Sequence, residues 1–415
     1  MFGAYYDELE TRAPERRERD NLKAVAEQVA RVKARAPYYK KLFAGIEPAA
    51  IASRADLARL PVTRKNSLIE LMKTDPPFGG INVVDPKDAA IIFTSPGPIF
   101  EFCTARDDYY GGARALYAAG FRKGDVIHNS FAYHLTPGAW IIHLAAGKLG
   151  CPVVPGGVGN TEHQVQVMAQ VKPVGYGGTP DFLKTLLETG DKLGVDLSSV
   201  KKALVGGGPL FPQLREFYKQ RGIAVFQTFA TAELGNIAYE TSAMDGMVVA
   251  EDKIVEVVIP GTDEPVAELG QVGEMVVTSL NPDCPLIRFS TGDLTALMPG
   301  LSPCGRTNAR IKGWMGRADQ TTKVRGMFVH PEQVAEVMKR HKDVRRVRLV
   351  VDMTDGRDFA TLKCESAGAA APSAQLIAQL AETFQSVCKV RAEIEFVAGV
   401  LPNDGKLIDD VRKFT

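Results

Sequence analysis

A glutamate, an aspartate and a lysine stand out for what surrounds them. Glu233 closes the run Thr228-Phe229-Ala230-Thr231-Ala232-Glu233, just after the apolar segment 224–226. A carboxylate a few residues past a strand end can hold Mg2+, a hard ion that takes oxygen ligands and shares substrate phosphates. An aromatic ring there, Phe229, can stack on a base. The bland alternative is a core phenylalanine beside a solvated glutamate. Asp293 ends the run Arg288-Phe289-Ser290-Thr291-Gly292-Asp293, where an acid in a tight turn can accept both hydroxyls of a ribose. Many such turns satisfy only their own backbone. Lys406, in Leu401-Pro402-Asn403-Asp404-Gly405-Lys406, reads by itself as a solvated side chain near the C-terminus.

Several loops that follow apolar runs suit phosphate or a flat ligand. Thr94-Ser95-Pro96-Gly97-Pro98 offers hydroxyls and a glycine after a strand, but its prolines lack N–H donors and no lysine follows, so it is no Walker loop. Gly206-Gly207-Gly208-Pro209 lies between a strand and a helix, where glycine admits close approach to the backbone; a structural turn explains it equally well. Gly175-Tyr176-Gly177-Gly178-Thr179-Pro180 reads more as a turn. Phe131-Ala132-Tyr133-His134 can line an acid pocket or simply start a helix. A G-x-S-x-G elbow is missing, and so is a proper G-x-G-x-x-G after a strand, which disfavours hydrolase and dinucleotide readings. Cys304 alone is no zinc site, since zinc takes about four ligands.

The elements that must position these residues come in blocks. Leu22, Val25, Val29 and Val32 fall on one face of an amphipathic helix that Pro37-Tyr38-Tyr39 ends. The run Leu60-Pro61-Val62-Thr63-Arg64-Lys65 reads as a loop into a further helix. From residue 89, apolar strands (89–93, 126–131, 151–154, 203–205, 224–226) alternate with helical stretches (109–119, 138–149, 161–171, 180–189, 212–220). That alternation predicts α/β architecture: mostly parallel sheets flanked by helices, with ligands at the carboxyl ends of the strands. After residue 252 short strands (254–259, 274–278, 294–298) predict a β-rich subdomain. From residue 321 the order β-α-β-β-α-β predicts a small α+β C-terminal domain of split βαβ type, with an Asp355-Gly356 turn and a last strand at 394–397.

Composition bounds the partners. A chain of 415 residues implies two or more domains. A net charge of +1 supplies no field that attracts nucleic acid or a membrane surface. No apolar stretch approaches the roughly 20 residues that span a bilayer, and the start of the chain lacks a secretory pattern. The six cysteines form no C-x-x-C pair, which reads as reduced thiols. The expected location is cytoplasmic.

Each motif is weak singly, but the order is specific. From about residue 35 to the end the chain resembles the phenylacetate–coenzyme A ligase branch of the adenylate-forming enzymes. The resemblance rests on Tyr38-Tyr39, the 60–65 run, Gly178-Thr179-Pro180, the motifs at Glu233 and Asp293, and Cys304-Gly305-Arg306. It continues through Gly316-Arg317-Ala318-Asp319, Lys323-Val324-Arg325-Gly326, Pro331-Glu332-Gln333-Val334 and Gly405-Lys406. It implies an N-terminal adenylate-forming domain (1–318), a mobile C-terminal domain (319–415), and ATP, Mg2+ and coenzyme A as cofactors. The implied reaction joins a small aromatic or short substituted carboxylic acid to ATP as an acyl-adenylate, then to coenzyme A as a thioester.

The resemblance also assigns roles. Thr94, Ser95, Gly97, Gly207, Gly208, Pro209, Thr228, Phe229 and Ala230 would bind nucleotide, with Phe229 on adenine. Glu233 would hold Mg2+, Asp293 the ribose, and Arg317 the ribose or phosphate. Lys406 would bridge carboxylate and α-phosphate, Asp319 would be the hinge, and Gly326 would line the coenzyme A tunnel. Tyr133, His134, Gly207 and Ala230 would face the acid. The sequence departs from the family pattern at Pro96, Pro98, Gly208, Phe229, Ala232 and Ser302. A homodimer is implied. Transfer to a carrier protein or an amine, or a ligand-binding relative with impaired chemistry, are the alternatives.

Overall fold

The computed structural model describes residues 4–95, 99–318, 320, 322–354, 357–368, 372–402 and 406–412. The chain divides into two compact units, Met1–Met315 and Gly316–Thr415.

In the first unit the alternating pattern yields a parallel block. Strands Val153–Pro155, Ile127–Asn129, Gly175–Gly178, Lys202–Val205 and Ala224–Thr231 lie side by side, all parallel. Helices Gly138–Leu149, Thr161–Val171, Pro180–Leu193 and Pro212–Gln220 connect them, as parallel pairing requires. The sheet continues antiparallel through Gly235–Glu240, Met247–Val249, Arg310–Ile311 and Leu297–Met298 to nine strands, so it is mixed.

Two expectations change here. Gly175–Gly178 is a buried central strand and not a turn. The packing gives the reason: a Cβ on Gly175 would meet the Phe121 ring at 2.1 Å, and one on Gly178 the Tyr176 hydroxyl at 2.1 Å. Glycine there admits neighbouring side chains rather than bending the chain. The apolar run near residue 91 does not join the parallel block either. Ile91–Ser95 pairs antiparallel with Ile99–Cys103 in its own hairpin.

A second sheet orders Thr63–Arg64, Phe289–Thr295, Gly273–Ser279 and Lys253–Val258. Its keystone is Arg288, a fully buried arginine in the left-handed region, φ 43°. Its guanidinium pairs with Glu256 at 3.1 Å and donates to the carbonyls of Ala58 at 2.8 Å, Asp263 at 3.0 Å and Leu60. These bonds pin the 58–64 segment, and helix Lys65–Thr74 starts from it. Arg288 therefore builds the frame rather than the site. Helix Pro14–Arg35 buries Val25, Val29 and Val32, as its periodicity predicts. Pro37 does not merely stop that helix: it opens the next one, Pro37–Leu42, because proline suits a first helical position.

The second unit packs helices Pro331–Arg340 and Ala374–Cys388 with a sheet ordered Glu393–Phe396, Arg357–Ser366, Val344–Thr354, Ile408–Asp410. The expected last strand at 394–397 is followed by one more, Ile408–Asp410, parallel to Val344–Thr354. The Asp355-Gly356 turn lies outside the described residues. All six cysteines are free. Among the described residues no helix is long and apolar enough to cross a membrane.

Candidate functional site

The carboxyl ends of the parallel strands carry most of the predicted residues. The strand Ala224–Thr231 runs further than its apolar core suggested, so Thr228, Phe229 and Ala230 lie within it. It turns back at Glu233 into Gly235–Glu240. Alternation along the strand separates the side chains. Phe229 packs partly buried against the core that holds Ile99 and Leu234, and Ala230 against the one that holds Phe93 and Ile141. Thr228 Oγ1 donates to Asn236 Oδ1 at 2.6 Å. On the neighbouring strand the 206–209 loop passes close: a Cβ on Gly206 would sit 2.9 Å from the Thr228 carbonyl. Gly207 adopts φ 69° and Gly208 and Pro209 are half-buried.

Glu233 is the centre of charge. Its side chain is 3% exposed, and Oε1 lies 2.7 Å from Lys65 Nζ. The contact is a buried ion pair, and Thr231 lies close enough to help hold the carboxylate. Burial pushes the Glu233 carboxyl up, but the Lys65 ammonium outweighs it, and the group sits below the ordinary carboxylate range. Glu101, on the hairpin strand Ile99–Cys103, lines the same small cavity of about 30 Å³. Its Oε1 accepts from Ser95 Oγ at 2.6 Å, while Oε2 has no partner. Burial, then the nearby Glu233 charge, push Glu101 up to about 8. Two acids in one dry place cannot both ionise freely.

The phosphate-loop candidate and the acid-pocket candidate meet. Thr94 N–H donates to the Leu135 carbonyl at 2.8 Å, which ties the end of Ile91–Ser95 to the 131–135 segment. Tyr133 stands between Asn129 Nδ2 at 2.9 Å and His143 Nδ1 at 3.2 Å, with Trp140 edge-on at 5.6 Å. Burial pushes its phenol up. His134 is exposed; the imidazole that meets Tyr133 is His143, one helical turn into Gly138–Leu149. Gly97 lies outside the described residues.

Asp293 is not in a tight turn. It lies in the strand Phe289–Thr295, at an irregularity opposite Met275, where Gly292 takes φ 73°. The extra residues re-aim a side chain, a common use of bulges. Asp293 is 8% exposed, and Trp314 Nε1 donates to its Oδ1 at 3.1 Å.

The other predicted residues belong to the second unit. Arg317 is half-buried, and Gly326 sits at φ 84° in the turn between Thr322–Val324 and Met327–Val329. Lys406 leads into the final strand. Its side chain is 56% exposed, with Nζ 4.0 Å from Asp409, and its carbonyl accepts from Arg348 Nη2 at 3.3 Å. The next amide, Leu407 N–H, donates to Gln320 Oε1 at 3.0 Å. Asp319 lies outside the described residues.

Sequence reasoning missed Lys65, Glu101, Trp314 and His143. Lys65 stands in a quoted motif but received no role. Glu101 left a readable signal, one acid within the apolar run Ile99-Phe100-Glu101-Phe102-Cys103. Trp314 left none, since its partner is distant in the chain.

Comparison with known proteins follows the same line. A phenylacetate-coenzyme A ligase of Thermus thermophilus is 33% identical over 385 residues, covering 87% of this chain and 84% of the relative. One from Aromatoleum evansii is 34% identical over 346 residues, 79% of this chain and 77% of the relative. Among solved structures, a 2-hydroxyisobutyryl-CoA ligase in complex with 2-HIB-AMP and CoA superposes with a TM-score of 0.85. It is 25% identical and covers 99% of this chain and 93% of that one. No family model matches the chain.

Proposed function

The chain belongs to the phenylacetate–coenzyme A ligase family, and we propose that it is an AMP-forming carboxylate–CoA ligase. A carboxylate oxygen attacks the α-phosphorus of ATP and pyrophosphate leaves, which gives an acyl-adenylate. The coenzyme A sulfur then attacks the acyl carbon, the thiol proton is lost, and AMP leaves with the electron pair. Family membership carries the reaction, and the buried Glu233 carboxylate carries the site. A buried carboxylate held in its ionised form, at the end of a strand beside the glycine loop, supplies the oxygen ligand that a hard cation takes.

The residues divide the work as follows. Glu233 would hold Mg2+, whose charge would screen the triphosphate against a second anion. Thr94, Ser95 and the 206–209 backbone surround phosphate, with Gly97 completing the loop. Thr228, Phe229 and Ala230 line the nucleotide, with Phe229 against adenine, and Asp293 accepts from the ribose hydroxyls. Tyr133 and Ala230 border the acid, which is small and aromatic or short and substituted; His134 stands at the rim. In the second unit, Lys406 meets the carboxylate and α-phosphate where negative charge builds up. Arg317 contacts ribose or phosphate, Gly326 lines the coenzyme A channel, and Asp319 is the hinge of a domain rotation that serves the second step. The working form is a cytoplasmic homodimer.

The test is a panel of carboxylic acids with ATP, Mg2+ and coenzyme A, read by mass detection of thioesters and by pyrophosphate release. One acid should give a thioester that disappears when coenzyme A is omitted, while pyrophosphate release persists for one turnover. Pyrophosphate release with no thioester from any acid would overturn the assignment in favour of another acceptor.

A further inference from the structure

We propose that Glu240 and Gln227 act together as positioning residues for nucleotide binding: the Glu240 charge orients the Gln227 amide, and Gln227 holds the exit of the 206–209 loop. The inference rests on the ligase reading, because that reading assigns the loop to nucleotide.

Four hydrogen bonds converge on the Glu240 carboxylate, at the end of the strand Gly235–Glu240. Arg215, on helix Pro212–Gln220, donates from Nη2 to both oxygens, at 2.7 Å and 3.0 Å. Gln227 supplies the other two: its backbone N–H donates to Oε2 at 2.8 Å and its Nε2 to Oε1 at 3.0 Å. The Glu240 side chain is 12% exposed, and a charge so far out of water needs such partners. Arg215 is itself fixed, because Nη1 donates to the Val225 carbonyl at 2.9 Å.

An amide side chain has one donor end and one acceptor end, and the hydrogen-bond network decides which way it points. An ionised carboxylate only accepts, so the end of Gln227 that faces Glu240 must be the NH2 group. The carbonyl end is then turned to Leu210, whose N–H donates to Gln227 Oε1 at 3.3 Å. A flipped amide would set oxygen against oxygen at Glu240 and N–H against N–H at Leu210. Glu240 therefore decides what the loop meets, although it does not touch the loop's exit itself.

Leu210 is where the loop ends. Pro209 lacks an N–H, so the Leu210 amide is the first backbone donor after Gly208. At the entrance the Gly206 N–H donates to the Gly178 carbonyl at 3.1 Å, and a Cβ on Gly206 would lie 2.9 Å from the Thr228 carbonyl. Neighbouring strands thus hold the entrance. The exit is held by Gln227 and by the Leu210 side chain, which is 9% exposed. Between them Gly207, at φ 69°, and Gly208 have no side chains to brace the backbone.

The probe is α,β-methylene-ATP with Mg2+, titrated into the full chain and read by calorimetry from about pH 5.5 to about pH 8.5. Gln227→Met keeps the length and loses both polar ends. It should weaken binding about fivefold at every pH, the worth of one neutral hydrogen bond. Gln227→Glu gives the finer readout. When ionised, the new carboxyl is repelled by Glu240, since Arg215 is already committed to that acid. When protonated, it again offers a donor to Glu240 and an acceptor to Leu210. Relative to wild type at each pH, its binding should be about fivefold weaker at the alkaline end and recover as pH falls, a rescue that a merely structural change would not show. Wild-type affinity in both variants, or a Gln227→Glu deficit that stays flat with pH, overturns the inference and leaves the ligase reading standing. A wild-type chain that does not bind the analogue overturns the ligase reading as well. Should Gln227→Met not fold, the Gln227→Glu series decides alone.

Discussion

Trp314 donates its indole N–H to Asp293 Oδ1 at 3.1 Å, across a strand irregularity that turns this acid out of the regular ladder. This bond helps to orient the carboxylate proposed to hold ribose. Trp314→Phe keeps an aromatic ring and removes the donor. A hydrogen bond to a charged group contributes about 1.5 kcal/mol, so the KM for ATP should rise roughly tenfold with kcat changed much less. Initial rates over an ATP series check this, and an unchanged KM would remove Trp314 from the site.

Arg288 should govern stability rather than chemistry. It is fully buried and joins Glu256 to three backbone carbonyls. Arg288→Met leaves Glu256 buried without its cation, a change that costs about 3–5 kcal/mol. Urea unfolding should show that loss in the midpoint. If the folded fraction stays high, the KM for ATP should stay near wild type.

Glu101 predicts a pH signature. Its folded pKa is raised to about 8 by burial and by Glu233, above the ordinary value of the unfolded chain. Its contribution is therefore full below about pH 4.5 and is lost as pH rises through about 8. Glu101→Gln has no such proton to lose. Without metal, the variant should gain on wild type as pH rises from 5 to 8, by at most about 1.4 kcal/mol per pH unit. Thermal unfolding of both proteins over that range measures the difference, and parallel curves would contradict it.

Lys406 separates the two half-reactions. Its side chain is 56% exposed, so Lys406→Ala should leave the melting temperature unchanged. Loss of a cation aimed at developing charge slows a step by about 10²–10³. Pyrophosphate release should drop by that factor, while a supplied acyl-adenylate is still converted to thioester. Equal loss in both steps would refute a role confined to adenylation.

Local pattern made much of the fold legible. Three- and four-residue spacing of Leu22, Val25, Val29 and Val32 marked the helix Pro14–Arg35, and strand–helix alternation marked the parallel block. The glycine-rich strand Gly175–Gly178 was not legible, because the reason for its glycines is the Phe121 and Tyr176 side chains that occupy the space. The position of Asp293 was misread for a related reason: Gly292 suggests a turn until its pairing with the Gly273–Ser279 strand is known.

By itself the sequence determined the family and the α/β fold class, since these reside in residue order and period. Only the tertiary structure decided what each acid faces. Lys65 and Glu233 are 168 positions apart in number yet form an ion pair at 2.7 Å. Glu101 owes its proton to burial beside Glu233, and Arg288, quoted within a binding motif, proved to be a buried brace. Charge depends on what is nearby in space and on how much water is excluded, and neither quantity is written along the chain.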